Sequence, residues 1–118
     1  MNCKELQEII TRNRFQIVHV YDEADQCIID FKHPQVKVEP PVAYFLSSVV
    51  LNKKQGYIQT TVRSKVKGVK ELYLEYCCED NICVCRPHVN MEEQILSVEA
   101  TFSQHPLAKF DRLLQEMI

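Results

Sequence analysis

The sequence predicts an α+β domain, a predominantly antiparallel sheet of five to seven strands with an N-terminal and a C-terminal helix. Three observations predict it. Apolar residues recur at helical spacing at both ends of the chain, and most of the chain between them alternates apolar with polar residues. A length of 118 residues, with 46% hydrophobic and 25% charged side chains, matches one ordinary folded domain, read here as 1–118.

Asn2 to Arg14 carries Leu6, Ile9 and Ile10 on one helical face, with Glu5 and Glu8 early and Arg12 and Arg14 late. That charge order suits the helix dipole. Phe15 to Tyr21 alternates next, placing Phe15, Ile17, His19 and Tyr21 on one face of a strand. Asp22 to Gln26 is a polar turn into Cys27 to His33, and the two strands make a hairpin.

Val36 to Leu51 reads two ways. Pro40-Pro41 followed by Val42, Phe45, Leu46, Val49 and Val50 matches a helical stripe with proline at its start, whereas the β-branched content favours a strand. Asn52 to Gly56 is a break. Tyr57 to Ser64 is a strand, and Lys65 to Lys70 a basic connector. Glu71 to Cys78 and Ile82 to Val89 read as a hairpin reversing at Asp80-Asn81. In 94–103, Asn90 and Glu93 suggest a helix cap, but Leu96, Val98, Ala100 and Phe102 alternate strictly with polar residues, as a strand requires. Pro106 opens a last helix with the stripe Leu107, Phe110, Leu113, Leu114 and Met117.

A helix at Pro41 to Lys54 gives an element order that resembles the small dimeric chaperones of type III secretion. A strand there gives an order that resembles the pleckstrin-homology superfold. No motif carries either resemblance, and fold analogy does not assign function.

Composition excludes several chemistries. Gly56 and Gly68 are the only glycines, so a phosphate-binding P-loop, a dinucleotide turn and a hydrolase nucleophile elbow are all absent. Net charge is −2, and the chain lacks tryptophan and any aromatic–basic motif, so nothing points to nucleic acid. The N-terminus has no apolar signal region, and the longest apolar stretch, Val42 to Leu51, is too short to span a membrane. Six cysteines without a signal read as free thiols in a reducing, cytoplasmic compartment.

Cys77, Cys78, Cys83, Cys85 and His88 form the pattern C-C-x4-C-x-C-x2-H. On the 71–89 hairpin Cys78, Cys83 and Cys85 share a face, and three thiolates converging there are a candidate zinc site. The pattern lacks the paired C-x2-C units of zinc ribbons. The plain alternative is that these cysteines pack as small apolar residues, with no cofactor.

Charge is split along the chain. Lys53, Lys54, Arg63, Lys65, Lys67 and Lys70 fall in a segment without a single acid, which carries +6. Residues 1–52 hold five basic and seven acidic side chains, and 71–118 hold three and nine. The basic run is a candidate site for phosphate groups, a phospholipid headgroup or an acidic partner surface. The alternative is a solvated strand edge kept from aggregating by its lysines.

The histidines carry no catalytic constellation. His19 lies on the apolar face of its strand and reads as a core or groove histidine. His33 and His105 precede prolines and read as exposed element ends. Cys85 and His88 fall on opposite faces, which rules out a dyad in that register. The leading expectation is therefore a non-enzymatic interaction or regulatory module, adaptor- or chaperone-like and self-associating, with Leu107, Phe110, Leu114 and Met117 as its interface.

Overall fold

The computed structural model describes residues 1–35, 46–65, 84–92 and 94–117. Along the chain they form α1 (Cys3–Arg12), β1 (Gln16–Asp22), β2 (Gln26–Lys32), β3 (Ser47–Asn52), β4 (Tyr57–Lys65), β5 (Val84–Asn90), β6 (Ile95–Phe102) and α2 (Pro106–Glu116). The six strands pair antiparallel in the order β1-β2-β3-β4-β6-β5. With a helix before and a helix after the sheet, the architecture is α+β.

Both helices cover the same face. Cys27, Ile29 and Phe31 of β2, Val49 and Leu51 of β3, Ile58 and Val62 of β4, and Leu96, Val98, Ala100 and Phe102 of β6 point into one core. Leu6, Ile9 and Ile10 of α1 and Phe110, Leu113 and Leu114 of α2 fill it from the other side. Each helix has about three turns and is marginal alone, so burial of its stripe supplies its stability.

Local chemistry explains how the helices are delimited. The Asn2 side-chain oxygen accepts the Glu5 amide at 2.9 Å and caps α1. At its end Arg14 takes φ 68°, Phe15 N–H donates to the Ile10 carbonyl at 3.2 Å, and Arg14 N–H donates to Thr11 at 3.0 Å. This is a Schellman closure with arginine in the position glycine normally fills, and it delivers Phe15 into the core. Pro106 opens α2 at a position where a missing N–H costs nothing.

The structure resolves or corrects several expectations. Residues 47–52 are strand, because Ser47, Val49 and Leu51 alternate into the core while Ser48 and Val50 face outward; 42–45 lie outside the described residues. Residues 95–102 are strand, not helix, since the Leu96 to Phe102 alternation is buried between two neighbours. Of the hairpin expected over 71–89, 71–83 lie outside the described residues, and β5 pairs with β6.

His19 is not on the core face. The register slips between Ile17 and His19, so Val18 is a bulged residue and the alternation inverts. His19 is opposite Asp30 and Tyr21 is opposite Ile28, both on the outer face. His33 is buried rather than exposed. Its Nε2 meets the Met117 carbonyl at 3.0 Å and its Nδ1 accepts the Gln35 amide at 3.0 Å. An acceptor at Nδ1 leaves Nε2 as the donor, so the ring is the neutral Nε2–H tautomer. It thereby satisfies a carbonyl at the end of α2 that the helix itself leaves open.

Cys3 and Cys27 form a disulfide, with Cα atoms 5.5 Å apart. The expectation of free thiols fails for this pair, and the thiol argument for a reducing compartment loses it. The two cysteines are 24 positions apart, and packing of α1 on β2 brings them together inside the core. Among the described residues no helix is long and apolar enough to cross a membrane.

Candidate functional site: the outer face of the sheet

With both helices on one face, the other side of the sheet is where side chains from all six strands line up. Its organisation follows from register. His19 pairs with Asp30, Asp30 with Ser48, Ser48 with Thr61, Thr61 with Glu99, and Glu99 with Arg86. Directly opposed residues in antiparallel strands project to the same side. The six therefore make one uninterrupted polar row across the sheet. Lys32 on β2 lies in the next row, which continues as Arg63, Ser97 and His88 on the far strands.

The row on the other side differs in character. Tyr21 is opposite Ile28 and Ile28 opposite Val50, followed by Gln59 and Thr101. Tyr21 is 50% exposed, and Ile28 and Val50 are half-buried. The outer face thus has an apolar corner on β1–β3 and a cationic, hydroxyl-bearing half on β4–β6–β5.

That second half holds an open groove of about 490 Å³ lined by Thr61, Arg63, Arg86, Pro87, His88, Ser97 and Glu99. Ser97, on the middle strand, is flanked by Arg63 on β4 and His88 on β5. The Arg63 guanidinium donates to the Leu46 carbonyl, which anchors its charge beside the groove. Arg86 and Glu99 are directly opposed yet form no ion pair.

The row does not assemble a nucleophile relay. His19 Nδ1 is 3.7 Å from Asp30 Oδ2, and Asp30 stands between His19 and Ser48. Serine activation needs the imidazole between the hydroxyl and the carboxylate.

The residues singled out from sequence are dispersed. Lys53 pairs with Asp22 and donates to the Glu23 carbonyl, and Lys54 pairs with Asp25 at 3.4 Å. The β1–β2 and β3–β4 turns lie side by side at one end of the sheet, so their opposite charges meet there. This corrects the anion site drawn over 53–70: Lys53 and Lys54 face acids, Arg63 and Lys65 stay on the outer face, and Lys67 and Lys70 lie outside the described residues. Arg86, His88 and Ser97 complete the groove, and their distance in sequence from Arg63 hid them.

Phe110, Leu114 and Met117 are buried in the chain's own core, at 0%, 0% and 2% exposure. They are therefore not an accessible interface, and only Leu107 of that set reaches a groove. That groove, about 280 Å³ between the helices, also contains Glu5, Glu8, Ile9, Arg12, Ala108 and Asp111. Asp111 is already engaged by Arg12 at 2.8 Å and Asn13 at 2.7 Å. Of the proposed zinc ligands, Cys78 and Cys83 lie outside the described residues, while Cys85 is on β5 in register with Ala100. Among the described residues no cluster of metal-ligating side chains occurs.

Comparison with protein-family models, with curated proteins and with solved structures finds no match.

Proposed function

We propose that this chain is a non-catalytic protein-interaction module that self-associates through the apolar corner of its open sheet face. The observation that carries the reading is the register-aligned set Tyr21, Ile28 and Val50, apolar across three strands on the face that neither helix covers. A sheet with one face covered by helices gains stability when a partner buries the other. In the order His19–Asp30–Ser48 the imidazole does not stand between hydroxyl and carboxylate, as a serine relay requires, and this supports a binding role over that kind of catalysis.

Light scattering over a concentration series tests this. The expected result is concentration-dependent association for the wild type, abolished by Tyr21→Glu or Ile28→Glu, with Tyr21→Phe retaining it. Circular dichroism confirms that each variant is folded. A wild type that stays monomeric across the series overturns the proposal.

A further inference from the structure

We propose that the groove over Ser97, on the opposite half of the same face, is a binding site for a phosphate group. Ser97 is on β6, between β4 and β5, with neighbouring strands about 4.8 Å apart. Arg63 and His88 are its direct neighbours, while Thr61 and Arg86 are its diagonal ones. Long side chains reach across such diagonals. Two permanent positive charges, an imidazole and two hydroxyls therefore surround one point.

The donors are prepared for a ligand. Arg86 and His88 are exposed, line the groove, and neither has an ion pair or side-chain hydrogen bond among the described residues. Arg86 faces Glu99 in register without pairing, so its guanidinium is available. Guanidinium groups bind phosphate with two parallel, charge-assisted hydrogen bonds. A tetrahedral phosphate offers four oxygens and can accept from Arg86, His88 and Ser97 at once. A carboxylate has only two.

Glu99 makes the site discriminating. Its carboxylate borders the same groove and repels any anion there. Removing its charge must strengthen anion binding, whereas a cationic ligand would respond in the opposite sense. This site deepens the reading of the outer face but is tested separately, because phosphate reports on the groove and scattering reports on the apolar corner.

The experiment is a titration of isotope-labelled protein with sodium phosphate at constant ionic strength, followed through backbone amides, with chloride as the control. Saturable shifts centred on Ser97, Arg86 and His88 are expected. Arg86→Gln should weaken binding roughly tenfold or more, and Glu99→Gln should tighten it severalfold. Unchanged Phe110 and Leu96 amides show that the variants remain folded. Phenyl phosphate and vesicles containing phosphatidic acid then separate a soluble ester from a lipid headgroup, and binding of either by the same residues supports the site. No saturable shift, shifts confined to the Lys53–Lys54 turn, or indifference to both substitutions overturns it.

Discussion

Phe110 is the residue on which the two layers of the fold depend, and its truncation can be worked through from the structure. It is fully buried, and its ring meets Phe31 edge to face at 6.1 Å and 82°. Phe31 meets Phe15 at 5.5 Å, and Phe15 meets the His33 ring at 5.3 Å. The chain of rings joins α2 to β2 and to the α1–β1 junction. Phe110→Ala removes the buried side chain at a cost of about 3–5 kcal/mol. That figure already includes the lost edge-to-face contact, which accounts for about 0.5–1.5 kcal/mol of it. A domain of this size is stable by roughly 6–18 kcal/mol, so the substitution consumes a large fraction of the total. The expected fall in melting temperature is roughly 15–25 °C, measured by circular dichroism. Phe110→Leu keeps most of the apolar volume and should cost much less. Gln115→Ala, exposed on the same helix, should stay within about 0.5 kcal/mol. A Phe110→Ala protein melting within about 2 °C of wild type would refute the assignment of α2 to the core.

Other perturbations have equally definite outcomes. Reducing Cys3–Cys27 opens a loop spanning α1, β1 and their turns. For a separation of 24 residues the chain-entropy relation gives about 3.5 kcal/mol, so dithiothreitol should lower the melting temperature by roughly 10 °C or more. Alkylation of both thiols in denaturant without reductant would refute the bond. His33→Leu leaves the Met117 carbonyl and the Gln35 amide without their imidazole partner and should cost about 1–3 kcal/mol in chemical denaturation. Unchanged stability would show that the ring does not tether α2. Arg14→Gly relieves a left-handed backbone at the α1 closure and should stabilise by about 1 kcal/mol, whereas a loss of stability would contradict the Schellman geometry.

What the sequence determined by itself is what repeats over a few residues. The Leu6–Ile9–Ile10 and Phe110–Leu113–Leu114 stripes mark the helices, and the Cys27–Ile29–Phe31 and Leu96–Val98–Ala100–Phe102 alternations mark strands, because burial on one face imposes a period on the chain. Val49 and Val50 were compatible with both periods, and pairing of β3 between β2 and β4 decided for strand. Only the tertiary structure decided the outer face. A single bulged residue, Val18, turns His19 and Tyr21 away from the side that strict alternation assigns them. Lys53 and Lys54 meet Asp22 and Asp25 because two turns lie at the same end of the sheet, and Cys3 meets Cys27 because α1 packs over β2. The polar row gathers residues from position 19 to position 99, and the groove over Ser97 needs β6 between β4 and β5. Such juxtapositions follow from strand order and register, which are set by pairing between segments far apart in the chain, and a side-chain period of two makes every one-residue slip exchange the faces.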